Sequence, residues 1–270
     1  NTGNANTDYA GLFGCIGETG VVKNLGLQDE EFAVRDEIIK DATRYVGSIA
    51  AYNYGEIRNC YNTGSIGVEI NKNTKFIYVL MGGIVARNYG SVDACYNAGA
   101  ISGEVEAFYV GGVAGWNNGT IQNCYNAQSV TMQGNDFSCY AGGVVGENLG
   151  YVFNCYNIQS VTAETDNDRC YVGGVAGWNN GTIQNCYNYQ SVKGQGSDCY
   201  VGGVAGYSYG NSLNCYSVGS VTAQGQGIYV GGVIGFNILD DECITRNCFY
   251  NTDLCDVTGA INGRMMRRTT

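Results

Sequence analysis

Cysteine carries most of the chemistry open to this chain of 270 residues, which holds thirteen cysteines and no histidine. Seven recur in an "NCY"-type setting, as Cys60, Cys95, Cys124, Cys155, Cys186, Cys215 and Cys248, at intervals of 35, 29, 31, 31, 29 and 33 residues. A nucleophilic thiolate needs an activating base, and no local sequence supplies one. Zinc sites use closely spaced cysteine pairs, often with histidine, and the chain has no CxxC pair. Two readings stay open. One is a ladder of small buried thiols. The other is disulfide bonding between stacked coils, whose equivalent Cα atoms would stand ~4.8 Å apart, inside the ~4.4–6.8 Å that a bridge requires. Leu25 occupies the same column in a divergent first repeat, so the position accepts an apolar residue and faces inward. A second column, Cys139, Cys170 and Cys199, precedes the tyrosine that opens a coil and borders a variable turn, which makes its members disulfide candidates. Cys15, Cys243 and Cys255 lie towards the two ends, where an exposed thiol could link subunits.

Other chemistry is thinly represented. Catalytic triads and histidine bases are excluded by composition. The strand acids Glu56, Asp93 and Glu147, with Arg58 and Arg87 nearby, do not recur as the stacked pair that glycoside cleavage needs. Asp136, Asp166, Asp168 and Asp198 offer oxygen ligands for Ca²⁺, but at varying offsets from the following cysteine. No other cofactor is expected, and the reading is of a non-enzyme. Tyr61, Tyr96, Tyr125, Tyr156, Tyr187, Tyr216 and Phe249 each follow a column cysteine. Strand alternation turns these rings outward if the cysteines face in, giving a ribbon able to meet protein or sugar.

The elements that must position these columns come from a repeat. "GGVAGWNNGTIQNCYN" stands at 111–126 and again, unchanged, at 173–188. Each unit holds three strand-like stretches, "FYVGGVAG", "GTIQNCYN" and "QSVTM" in the fourth copy, rich in Val, Ile, Tyr and Thr and separated by Asn/Gly turns. Helical spacing is absent. Three strands in ~30 residues predict one turn of a parallel β-helix. The expected fold is therefore all-β, a single right-handed β-solenoid over 1–270 with eight coils of ~30 residues. Its repeats fall at about 9–27, 45–66, 80–102, 109–131, 140–162, 171–193, 200–222 and 229–251. Residues 28–44 and 68–79 read as insertions, the first a short helix, strand extension or cap, and 252–270 as a tail.

"GGVAGWNNGTIQNCYNAQSVT" and "YAGLFGCIGETGVVKNLGL" resemble GLUG-motif repeats, found in large bacterial surface proteins and adhesins and in the non-catalytic part of some IgA-protease-type metallopeptidases. The resemblance runs from residue 9 to about 250 and implies a right-handed β-solenoid in an extracellular or cell-surface setting. It implies no activity, since the HExxH zinc motif of those peptidases is absent. The cysteine density departs from the repeat's usual Leu or Ala in that column.

Composition narrows the partners. A net charge of −10 argues against nucleic acid and anionic membrane surfaces, both of which need Lys and Arg. No stretch approaches the ~20 apolar residues of a membrane span. Thirteen cysteines fit an oxidising compartment, and the chain reads as the mature form of a secreted protein. Arg264, Arg267 and Arg268 in a basic, Met-bearing tail could dock on a neighbouring acidic rod. The functional expectation is a self-assembling filament, fibre or surface-layer subunit. The alternative is an adhesin segment binding glycan or host protein through the tyrosine ribbon, and the third reading is a polysaccharide-active β-helix enzyme.

Overall fold

The computed structural model describes residues 7–29, 31–35, 43–69, 78–105, 107–135, 137–166, 168–238, 243–255, 259 and 261. Val, Ile and Tyr alternate with small residues along short runs, and these runs pair only in parallel, each with its equivalent one repeat away. The product is a β-solenoid of five sheets running along one axis. Sheet I has eight strands, from Thr7–Ala10 to Gly227–Gly231, and sheet II eight, from Phe13–Ile16 to Ile234–Asn237. Sheet III has eight, from Val21–Lys23 to Thr245–Arg246, and sheet IV eight, from Gly26–Leu27 to Phe249–Tyr250. Sheet V has seven, from Phe32–Arg35 to Val221–Gln224. Coils are numbered 1 to 8 from the N-terminal side.

Coils 1 to 7 thus hold five strands each, and coil 8 four among the described residues, where the sequence divides into three stretches, because two of the stretches turn a corner. In coil 4 the strands are Ala107–Gly111, Ala114–Asn117, Thr120–Gln122, Tyr125–Asn126 and Val130–Gly134. The first corner needs the glycine pair. A Cβ on Gly112 would lie 2.2 Å from the Gly143 carbonyl oxygen and 2.3 Å from Asn126 Cγ, so no side chain fits where the two walls approach. The corner before the cysteine is made by one left-handed residue, Asn123 with φ 55°. Asparagine tolerates that region better than other non-glycine residues. It recurs there as Asn24, Asn59, Asn154, Asn185, Asn214 and Asn247.

Coil 3 breaks the pattern with Ala94 at φ 50°. Alanine has no side-chain hydrogen bond to offset a left-handed backbone, which costs it about 1–2 kcal/mol. Ala94→Asn is therefore expected to raise the unfolding free energy by roughly 1 kcal/mol in urea titrations, with the slope unchanged.

The glycine pair divides the interior into two compartments. Sheets II, III and IV enclose Val113, Ala114, Ile121, Cys124 and their equivalents, while sheets I and V enclose Phe108, Val110, Val130, Met132 and theirs. Two amide ladders run the length of this interior. Asn53, Asn88, Asn117, Asn148 and Asn179 form one, closed by Ser208. Asn62, Asn97, Asn126, Asn157 and Asn188 form the other, closed by Ser217. Between asparagines each Nδ2 donates to the Oδ1 one coil on at 2.8–2.9 Å, Asn179 and Asn188 donate to the serine hydroxyls at 3.3 Å, and every asparagine in both ladders is fully buried. The same side chains close turns, as where Asn126 Nδ2 donates to the Gln128 carbonyl.

The segment 28–44 supplies a strand rather than a helix over its described part. Phe32–Arg35 pairs with Ile66–Glu69 and is the sheet V strand of coil 1. Of the segment 68–79, Val68 and Glu69 end one strand and Tyr78 and Val79 begin the next, and 70–77 lie outside the described residues.

Candidate functional site

The cysteine column lies inside sheet IV's corner. Cys60, Cys95, Cys124, Cys155, Cys186 and Cys215 are at most 1% exposed, and Cys248 in the last coil is half-buried. The backbone N–H of Cys60, Cys95, Cys124 and Cys155 each donates to the Sγ one coil on at 3.4 Å. Each thiol in turn donates to the carbonyl two residues before it, as Cys124 does to Gln122 at 3.0 Å. In the second column, Cys139 pairs in register with Cys170 and Cys170 with Cys199, all fully buried. Burial pushes the thiols of Cys139 and Cys155 above their ordinary range, which keeps them protonated and unreactive. Of the end cysteines, Cys15 is exposed, Cys243 half-buried and Cys255 buried, its Sγ donating to the Gly219 carbonyl at 3.0 Å.

All thirteen cysteines are free thiols in this structure, ten of them buried. The vertical bridges are thus not formed, and parallel strands explain why: equivalent side chains leave the backbone in the same direction and stack without turning towards each other. Ellman titration of unreduced protein is expected to find one fast-reacting thiol in the native state, Cys15, and all thirteen in urea. Fewer than thirteen in urea would reveal disulfides.

The tyrosine ribbon stands where alternation puts it, on the outer side of sheet IV. Tyr61, Tyr96, Tyr125, Tyr156, Tyr187 and Tyr216 stack with centroids 4.8–5.1 Å apart and ring planes within 5° of parallel. Phe249 continues the register beyond Tyr216 and is 67% exposed. Each interior ring has both faces covered by its neighbours. The ribbon therefore offers ring edges and a row of hydroxyls, while the ring face that a sugar would stack on is free only at the ends.

A second aromatic array lies in the outer notch between sheets I and II. Tyr45, Leu80, Tyr109, Tyr140, Tyr171, Tyr200 and Tyr229 form one wall on sheet I. Tyr52, Arg87, Trp116, Glu147, Trp178, Tyr207 and Phe236 form the other on sheet II. The rings interlock edge to face, as Tyr171 with Trp178 at 5.1 Å and Tyr229 with Phe236 at 5.2 Å. Every sheet II member lies seven residues after its sheet I partner. That constant offset was the signal in the sequence, and attention to the cysteine-linked tyrosines alone passes over it.

Two charged groups interrupt the sheet II wall. The Arg87 guanidinium sits 4.2 Å from the Trp116 ring centroid, 5.1 Å from Tyr89 and 5.9 Å from Tyr52. Glu147 occupies the rung between Trp116 and Trp178. Burial raises its carboxyl above the usual range, against the opposing pull of a hydrogen bond from Trp116 and of the Arg87 charge. On the facing wall, burial and the nearby Glu147 carboxylate push the Tyr109 hydroxyl up to about 12.

The remaining strand acids do not assemble. Glu56 pairs with Arg58 at 3.2 Å and Asp93 accepts from Asn123 at 2.8 Å, both on sheet III, away from Glu147. Asp168 Oδ1 accepts from the Arg169 amide at 2.7 Å and from the Ser138 hydroxyl, and Asp136 lies outside the described residues. Among the described residues no group of three or more Cys, Asp or Glu side chains is placed to hold a metal ion. A surface cavity of ≈ 450 Å³ runs along glycines Gly150, Gly181 and Gly210 between Tyr151 and Tyr209, with no titratable cluster. Among the described residues no helix is long and apolar enough to cross a membrane. Arg264, Arg267 and Arg268 lie outside the described residues.

Residues 42–67 match the family model of the GLUG motif. The matched span corresponds to coil 2, from its sheet I strand to the start of its sheet V strand. Neither the comparison with curated proteins nor that with solved structures returned a match.

Proposed function

We propose that this GLUG-motif solenoid is a non-enzymatic structural rod of an extracellular or surface protein, extended end to end by copies of itself. The motif and the fold together fit an extracellular or surface β-helix protein. One observation carries the finer reading: where apolar surface is exposed. Among the described residues the exposed large aliphatic side chains are Leu12, Val21, Ile228, Ile244 and Leu254. Leu12 and Val21 belong to coil 1, and the other three belong to coil 8 or follow it. Between the ends the exposed large apolar side chains among the described residues are tyrosines, whose hydroxyls keep that surface wet.

The ends also carry open strand edges. Among the described residues Thr7–Ala10 and Phe13–Ile16 have a strand partner on one side only, as does Gly227–Gly231 at the far end, where Ile261 bridges the neighbouring Ile234. Unpaired parallel edges are templates for further strands, and a head-to-tail contact of this kind propagates instead of closing. Sedimentation velocity over rising protein concentration tests the reading. The expected result is a continuous series of larger species. A single monomer peak up to millimolar concentration would reject it.

The tyrosine ribbon is proposed to brace the rod. Ring stacking contributes about 0.5–1.5 kcal/mol per pair beyond area burial, and the covered faces favour this role over sugar stacking.

A further inference from the structure

We propose that the surface cavity at the corner between sheets II and III is a binding site for a neutral saccharide, whose ring lies on Tyr151. The cavity is ≈ 450 Å³ of open space bordered by coils 5 to 7 and by Cys243 of coil 8. Its size falls within the ~300–1,000 Å³ of small-molecule sites. The space arises from a difference in side-chain size between neighbouring coils. Coil 5 lines it with Leu149 and Tyr151 and coil 7 with Tyr209, whereas coil 6 between them brings only Asn180, Gly181 and Thr182. Coils 5 and 7 stand two strand spacings apart, ~9.6 Å, so the short rung of coil 6 leaves a recess between two larger walls.

The fold itself gives no reason for a tyrosine at 151. In the same sheet III position coils 2, 3, 4, 6 and 7 hold Glu56, Ser91, Thr120, Thr182 and Asn211, all polar. Tyr151 is 58% exposed and, among the described residues, stacks on no other ring, unlike the tyrosines of sheet IV. An aromatic ring left open beside a recess suits the C–H face of a pyranose. Tyr209 forms the opposite wall and is held in place by Trp178 at 6.0 Å and Tyr207 at 5.6 Å.

The polar groups of the recess select the ligand further. The Asn180 side-chain amide and the Thr182 hydroxyl make no hydrogen bond to the chain among the described residues. Asn211 uses only its Oδ1, which accepts from the Ile244 amide at 2.9 Å. A side-chain amide offers a donor and an acceptor side by side, which matches a pair of neighbouring sugar hydroxyls. No lining residue is Asp, Glu, Lys or Arg, so a phosphate, a carboxylate or a metal ion finds no countercharge. A peptide adding as a strand finds no free edge here, because Tyr151–Phe153, Thr182–Gln184 and Asn211–Leu213 already pair on both sides. A neutral ring bearing hydroxyls matches both the open aromatic face and the unpaired amide.

The test uses full-length protein with biotin at its N-terminus, assembled on fluorescent streptavidin for avidity and applied to a printed array of neutral and acidic oligosaccharides. Retention on neutral oligosaccharides is the expected result. It should fall at least about tenfold in Tyr151→Ala, and stay within about twofold of wild type in Tyr151→Phe, which keeps the ring. Tyr189→Ala removes a tyrosine equally exposed at 58% but outside the recess, and should bind as wild type. Retention of acidic oligosaccharides alone, or of none, would overturn the site. So would loss in Tyr151→Phe or Tyr189→Ala, or unchanged retention in a Tyr151→Ala protein with wild-type circular dichroism.

Discussion

Asn126→Ala is expected to lower the unfolding free energy by roughly 3 kcal/mol, because it strands hydrogen-bonding groups in a fully buried ladder. Asn97 Nδ2 loses its acceptor in the next coil, Asn157 Oδ1 loses its neighbour, and the Gln128 carbonyl loses its donor. Each buried group left without a partner costs about 1–3 kcal/mol, and the Asn97 and Asn157 amides stand in the buried interior, whereas the Gln128 carbonyl is only part-buried. The side chain also braces the glycine corner, since Gly112 approaches it too closely for any Cβ. Asn126→Ser should recover about half the loss, because serine already ends both ladders at Ser208 and Ser217. Chemical denaturation of the three proteins checks the order. An Asn126→Ala protein as stable as wild type would show that the amide ladders do not hold the coils in register.

The largest functional effect is expected at the first coil. Leu12 and Val21 are 50% and 51% exposed, so lysine at both positions is accommodated by a single rod without burying charge. In an end-to-end contact the same two lysines would be desolvated against the apolar side chains of the far end, a cost of several kcal/mol. Leu12→Lys/Val21→Lys should therefore leave the thermal midpoint within a few degrees of wild type while weakening self-association about a hundredfold or more. The comparison is made by sedimentation at matched concentration. Association unchanged by the double substitution would place the contact elsewhere than the first coil.

Much of this architecture was legible in the sequence because stacking forces each residue to match its own copy one coil away. The glycine pairs and the "NCY" columns fixed the register, and parallel in-register pairing of those columns followed. The inward cysteine and outward tyrosine were legible from alternation alone. The number of strands was not, because a single left-handed Asn123 or a glycine pair bends a run that reads as one extended stretch. The strand Phe32–Arg35 was hidden by a preceding acidic segment that matches no other copy.

The notch was hidden for a different reason. Tyr109 and Trp116 look like unrelated strand residues until the chain folds back at Gly111–Gly112 and brings two outer faces together. Arg87 and Glu147, read as isolated strand charges, prove to share one column with the two indoles. The state of the cysteines also lay beyond spacing. Cα separation permits a bridge between neighbouring rungs, and only side-chain direction shows that the rungs stack as thiols.

The central claim, that this rod is made to be extended end to end, is tested most directly by cryo-electron microscopy of the protein at high concentration. The account predicts unbranched filaments of one-coil width, with strands spaced ~4.8 Å along the axis and a subunit repeat of roughly 38 Å, the height of eight coils. Isolated rods of that length at every concentration would contradict it.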